Sequence, residues 1–367
     1  MPRTVQFDRW LYGATLALCL VGAVMVFSAS AVTAETEFGS AYGFIGRQAL
    51  WLLLGLSGMF VLMQVDYRRL RQPVVNYTSL CAILLLLTAV FLFSPINAAH
   101  RWIHFGPLRL QPSELAKLVV IFYLAALLET RLRPPSLGVN HLRHTLLPAL
   151  GPVLLVVALV VLEPDLGTAF QIFLIALAML FVAGLDWRYL AGAAGGALPV
   201  LVGLILAEPY RLKRVLVFLN PEADPQGSGF QLLQSLIAVG SGGLTGVGLM
   251  ESRQKLFYLP EAHTDFIFAV LCEELGLLGA LAVIALFGIY GWRGFRAALA
   301  APDAFGRLAA VGITMMVLAQ ALINLSVVLG LLPTKGIPLP FISYGGSSLL
   351  VMLLATGVLL NIAQHAD

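Results

Sequence analysis

The chain has 367 residues, of which 59% are hydrophobic and only 11% charged, with a mean hydropathy of +0.91. Soluble domains carry about 25% charged residues, so the composition excludes an ordinary soluble enzyme, and the formal net charge of +3 informs only through its distribution. Cys19, Cys81 and Cys272 all fall inside apolar runs, which argues against a disulfide framework or a loop-borne metal cluster.

Apolar runs near the roughly 20 residues needed to cross a bilayer recur along the whole length. They predict about ten transmembrane helices, at 10–32, 44–65, 74–94, 113–128, 145–162, 168–185, 189–207, 263–290, 308–330 and 345–364. The expected fold class is all-α: one polytopic membrane domain over 1–367, with a long extracytoplasmic loop at 208–262 between the seventh and eighth helices. Residues 11–27 with the small residues of 28–34 mimic a signal peptide. The stretch 10–32 is long enough to span, and an uncleaved first helix is expected.

The informative polar residues follow in chain order. Residues 99–117 read AHRWIHFGPLRLQPSELAK and lead into the fourth helix, with Glu114 and Lys117 three residues apart on one face. An i,i+3 ion pair accounts for them structurally; charge inside a membrane helix is costly and usually faces a cavity or pathway, which favours a functional role. EPDLGT (163–168) sets two carboxylates beside a proline and a glycine, where simple N-capping and a functional role are evenly balanced. The long loop holds YRLKR (210–214), whose cations suit lipid head groups or a phosphate-bearing substrate, then NPEADPQGSGFQ (220–231) and GSGGLTGVG (240–248). These glycines match no nucleotide-binding fingerprint.

LPEAHTD (259–265) places Asp265 near a helix N-terminus, with Glu261 and His263 close by. It is either a cap worth ~1 kcal/mol or a general base, whose pKa apolar neighbours raise and the helix dipole lowers. Glu273 and Glu274 lie about 12 Å further along at 1.5 Å per residue, a depth at which they must be neutral, paired or wetted. In LPTKGIPLPFISYGGSS (332–348) three prolines preclude a helix, and Gly345, Gly346 and Ser347 then open the last helix with free backbone N–H groups. Such a helix start can hold an anion, and Lys335 of the same loop can reinforce it.

Orientation follows from the basic residues of short loops. Arg3, Arg9, Arg68, Arg69, Arg71, Arg131, Arg133, Arg143, Arg188, Arg293, Arg296 and Arg307 fall on one side, and only Arg101, Arg109 and Lys335 on the other. Both termini are therefore expected in the cytoplasm, and the polar motifs at the outer mouth of a helical bundle. Such a mouth suits a substrate with an apolar tail in lipid and a phosphorylated head outside.

MVFSAS (25–30), RWIHFGPLRLQPSELAK (101–117), EPDLGT (163–168), NPEADPQGSGFQLLQS (220–235), LPEAHTDFIFAVLCEELG (259–276) and LPTKGIPLPFISYGGSS (332–348) resemble, in order, the motifs of the SEDS family of shape, elongation, division and sporulation proteins. The resemblance covers essentially the whole chain. It implies a peptidoglycan glycosyltransferase of the bacterial cytoplasmic membrane, polymerising lipid II on the outer face. It also implies a divalent cation (Mg or Mn) as cofactor, a class B penicillin-binding protein as partner besides membrane lipid, and no nucleic acid. By matching motif, Asp265 corresponds to the family's essential acid, and Arg101, Glu114, Lys117, Lys335 and Ser347 are assigned to the substrate pocket. MVFSAS, LPEAHTDF and LPTKG resemble the division branch and EPDLGT the elongation branch, so the balance leans to division. A lipid II transporter and a scaffold that activates the penicillin-binding protein are the alternatives. Outer-side crowding of the motifs weighs against the first, and charge at the pocket mouth against the second.

Overall fold

The computed structural model describes residues 7–94, 99–105, 108–133, 138–227, 229–256 and 258–366. Its helices are α1 (Arg9–Phe38), α2 (Gly43–Gln64), α3 (Pro73–Ala89), α4 (Pro112–Leu132), α5 (Leu147–Leu162), α6 (Leu166–Val182), α7 (Trp187–Leu206), α8 (Pro209–Leu219), α9 (Phe230–Ser241), α10 (Ile267–Ala300), α11 (Ala304–Val328) and α12 (Gly346–Gln364). Among the described residues, eight helical stretches are long and apolar enough to cross a membrane. The other two expected spans correspond to α6, with 17 residues, and α4, which carries Glu114, Lys117, Glu129 and Arg131. The chain is a polytopic, helical integral membrane protein.

Three details differ from the sequence expectation. The 208–262 segment is not a plain loop, because α8 and α9 form inside it. In α8, PYRLKRVLVFL separates basic from apolar residues at helical spacing, which makes an amphipathic helix too short and too charged to span. The span expected at 263–290 becomes helical only from Ile267 and runs on to Ala300. The motif before α4 carries a small antiparallel hairpin, β1 (Ile103–Phe105) with β2 (Leu108–Leu110), in register Ile103 to Leu110; Gly106 and Pro107 of that motif lie outside the described residues.

The core is built from α4, α10, α11 and α12, with α1 against α10, α2 against α12 and α6 against α11. α7 buries none of its residues and stands at the periphery. At one end of the bundle Arg293 pairs with Asp8 at 2.6 Å, Arg68 with Asp303 at 3.2 Å and Arg71 with Glu129 at 3.1 Å. Asp265 lies at the other end, before the first turn of α10.

α10 is broken at Gly276, whose φ of 65° and ψ of −163° no L side chain adopts readily. The backbone groups released there are satisfied by the glycine-rich run. Val247 and Gly248 N–H donate to the carbonyls of Glu273 (3.0 Å) and Glu274 (3.1 Å), while Leu277 and Leu278 N–H donate to Gly243 (2.9 Å) and Leu244 (3.2 Å). Backbone that leaves the helix at membrane depth needs such partners. The glycines allow the approach: a Cβ on Gly242 would stand 1.9 Å from the Cys272 carbonyl oxygen.

Candidate active site

Asp265 is held by its backbone rather than its side chain. Asn324 of α11 donates from Nδ2 to the carbonyls of Asp265 and Ile337, both at 2.8 Å. Ser343 Oγ donates to Thr264 O at 2.6 Å, and Tyr344 N–H donates to His263 O at 3.0 Å. These bonds stitch LPEAHTD to LPTKGIPLPFIS. Gly336 closes the contact, since a Cβ there would lie 3.1 Å from Asp265 Oδ2.

The N-cap of α10 is Phe266 and makes no side-chain cap bond, so Asp265 does not act as the cap. Among the described residues no hydrogen bond reaches its partly exposed carboxylate, which is left open to solvent or substrate. Burial pushes its pKa up to about 7, Glu261 adds to the rise, and Arg214 and Arg101 oppose it. An uncommitted carboxylate titrating near neutrality can accept a proton.

Arg101 organises the neighbouring turn. Its guanidinium donates to Glu163 O at 3.1 Å and to Pro164 O. Asp165 caps α6 by accepting from Thr168 N–H (3.1 Å) and Thr168 Oγ1 (2.8 Å), and it also accepts from Gln111 at 3.1 Å. Of the two roles weighed for EPDLGT, N-capping is therefore present at Asp165. Glu163 differs: it is fully buried, neither carboxylate oxygen is hydrogen-bonded among the described residues, and burial, then Asp165, pushes its pKa up to about 8 against the pull of Arg101. Lys335 lies with its ammonium 5.5 Å from the Phe170 ring centre, and its pKa falls below the usual lysine value through burial and Arg214, with Asp165 opposing.

Lys117 and Glu114 sit deeper. The ammonium, with no solvent exposure, donates to Glu114 at 2.8 Å, Gln320 at 2.7 Å and Gln171 at 3.4 Å, joining α4, α6 and α11. Gln320 in turn donates to Pro338 O at 2.9 Å and Ser348 Oγ at 3.3 Å, which ties this buried charge to the loop that carries Lys335. Ser347 is also buried, and its hydroxyl has no hydrogen-bond partner among the described residues. The start of α12 packs on α2: Gly345 N–H is directed at Gln48 (3.5 Å) and Gly346 abuts Trp51. The structure thus brings Asp265, Arg101 and Lys335 to the mouth, places Glu114 and Lys117 beneath it, and turns Ser347 into the packing between helices.

Glu273 and Glu274 are both partnered. Glu274 pairs with Lys255 at 2.8 Å and accepts from Ser28 at 2.6 Å, while Glu273 accepts from Ser252 and from Arg253 N–H at 3.0 Å. Ser28 belongs to MVFSAS, which gives that motif a contact. Sequence reasoning did not single out Asn324, Gln320 or Lys255, and it met Arg214 only as one cation of YRLKR. The only signal for the two amides was their occurrence inside an apolar helix, four residues apart and so on one face.

Among the described residues no three His, Cys, Asp or Glu side chains converge as a metal cage. Magnesium usually takes only one or two carboxylates, completing its shell with water and substrate phosphates. The open carboxylate of Asp265 fits that donor set.

Residues 9–367 match the family of cell cycle proteins comprising FtsW, RodA and SpoVE. The chain belongs to this family. It is 44% identical over 360 residues to the stage V sporulation protein E of Bacillus subtilis (strain 168), spanning 98% of this chain and 97% of that protein. It is 43% identical over 361 residues to the probable peptidoglycan glycosyltransferase FtsW of Geobacter metallireducens, at 98% and 95% coverage. Among solved structures, Thermus thermophilus rod shape determining protein RodA superposes with a TM-score of 0.71 at 33% identity, over 99% of this chain and 98% of that one. A chain from a structure described as "Structural coordination of polymerization and crosslinking by a peptidoglycan synthase complex" reaches a TM-score of 0.79 at 36% identity, over 99% and 100%.

Proposed function

We infer that this protein is a peptidoglycan glycosyltransferase that polymerises lipid II at the outer face of the bacterial cytoplasmic membrane, with both termini in the cytoplasm. The observation that carries the reading is the Asp265 carboxylate, free of hydrogen bonds among the described residues yet fixed through its backbone, with Arg101 and Arg214 close enough to lower its pKa and the Lys335 loop packed against it at Gly336. The family relationship supplies the substrate: relatives carry the name peptidoglycan glycosyltransferase across nearly their full length.

In the reaction, a sugar hydroxyl of one lipid II attacks the anomeric carbon of the growing strand. The new C–O bond forms as the bond to the polyprenyl diphosphate breaks, with inversion. Asp265 accepts the hydroxyl proton. The departing diphosphate carries its negative charge away and is stabilised by preorganised cations, for which Arg101 and Lys335 are placed at the mouth. Lys117, sealed beneath, holds the floor of the site through Glu114 and Gln320. A bound Mg or Mn ion, held by Asp265 with substrate oxygens, would supply further charge neutralisation.

A class B penicillin-binding protein is the expected partner for cross-linking, in line with the synthase complex whose chain this one resembles. Sporulation and division relatives at 43–44% identity support the division branch over the elongation branch. A transporter reading would draw on buried charge, but Glu274 is paired with Lys255 and Glu114 with Lys117.

The test is strand synthesis from purified lipid II by wild type and Asp265→Asn, with and without the penicillin-binding protein and with contaminating glycosyltransferases inhibited. Strands made by wild type and lost in the folded variant are expected. An active Asn variant would remove Asp265 from the mechanism; no strands under any partner condition would move the reading to transport or scaffolding.

A further inference from the structure

Arg214 lies far from the other site residues in sequence, and α8 carries it to them. Its Nη1 donates to Thr334 O at 2.9 Å, and its guanidinium stacks 4.5 Å from the centre of the Tyr210 ring, whose hydroxyl it also bonds. Thr334, Lys335 and Gly336 are consecutive. The carbonyl that Arg214 holds thus belongs to the residue before the Lys335 ammonium and two before the glycine that abuts Asp265.

Neither Arg214 nor Lys335 is ion-paired with a carboxylate among the described residues. They are near enough that Arg214 lowers the proton affinity of Lys335. Asp165 attracts Lys335 and Asp265 attracts Arg214, yet neither carboxylate makes an ion pair with its cation among the described residues. Cations near each other with no carboxylate in salt-bridge contact repel, and an anion between them relieves that repulsion. Arginine offers a planar fork of donors that suits phosphate oxygens, and stacking on an aromatic ring fixes that fork before the ligand arrives.

We propose that Arg214 is a substrate-binding residue which, with Lys335, forms a cleft for the diphosphate of the polyprenyl-linked sugar beside Asp265. The cleft rests on the glycosyltransferase reading for its natural ligand, but its anion preference can be measured without turnover. α8 is then a structural part of the site: an amphipathic helix that delivers one cation over the mouth.

The experiment measures binding of farnesyl diphosphate, farnesyl phosphate and farnesol to the purified full-length protein in detergent, by calorimetry, for wild type, Arg214→Gln and Arg214→Lys. Wild type should prefer the diphosphate to the monophosphate at least tenfold and bind the alcohol weakest. Arg214→Gln should lose tenfold or more in diphosphate affinity with an unchanged melting temperature, and raise KM for lipid II more than it lowers kcat. Arg214→Lys should recover part of that affinity. Equal diphosphate affinity in wild type and Arg214→Gln overturns the proposal, as does wild type that does not distinguish diphosphate from alcohol. Should Arg214→Gln fail to fold, Arg214→Lys decides: a several-fold loss confined to the diphosphate supports the cleft, and unchanged affinity refutes it. Strand synthesis by the same wild-type preparation separates failure of the cleft from failure of the glycosyltransferase reading.

Discussion

Lys117→Met tests whether the buried charge under the site is held as a pair. The substitution keeps much of the side-chain volume, so the cavity it leaves is small. It removes an ammonium with no solvent exposure from Glu114 at 2.8 Å, Gln320 at 2.7 Å and Gln171 at 3.4 Å. Glu114, 3% exposed, then remains as a buried carboxylate with no cation. Breaking a buried pair from one side costs about 3–5 kcal/mol. Neutralising the remaining partner, in Glu114→Gln with Lys117→Met, should return about 2–3 kcal/mol of that loss, within the range of coupling between contacting residues. The assay is a denaturant titration of the detergent-solubilised protein followed by helical circular dichroism, on wild type, both single variants and the double. The double variant should unfold at a clearly higher denaturant concentration than Lys117→Met. Equal midpoints for those two would refute the pairing argument, since the orphaned carboxylate is its largest component.

Strand synthesis should rise with pH through about 7, because Asp265 must be deprotonated to accept a proton and burial holds its pKa near that value; about tenfold is lost per pH unit below it. Glu261→Gln removes a charge that raises this pKa, so a pH–rate profile of that variant should show its acidic limb moved to lower pH. Gly336→Ala brings a methyl 3.1 Å from Asp265 Oδ2 and should lower kcat about tenfold while leaving the melting temperature close to wild type, as steady-state kinetics and thermal unfolding would report. Gly276→Ala forces a side chain onto a φ of 65° with the Gly246 nitrogen 2.3 Å away, and the yield of monodisperse protein after membrane extraction should fall severely.

Much of the fold was legible because apolar length is a local property. A run such as 346–364 must find a bilayer or a bundle whatever surrounds it, and its boundaries follow from Gly345 and the polar end at Gln364. The division of 208–262 was less legible, since α8 is short and derives its helical form from two-sidedness rather than from hydropathy. Asp265 could be singled out as an acid in a distinctive turn, but whether it caps α10 or stands open depends on which neighbour reaches it. The same ambiguity held for EPDLGT, where Asp165 proved to be the cap while Glu163 was buried without a bond.

The sequence by itself determined that the chain is a multi-helix membrane protein with its unusual polar residues near helix ends, because the transfer cost of charge and the length of an apolar run depend on neighbours along the chain alone. Tertiary structure alone decided which of those residues meet. Arg214 reaches the segment at 334–336, Asn324 bridges Asp265 and Ile337, and Ser28 meets Glu274 from 246 positions away. Each of these contacts is set by how the helices pack and where α10 breaks, and hydrogen bonds and charge interactions act over a few ångströms in space, irrespective of separation along the chain.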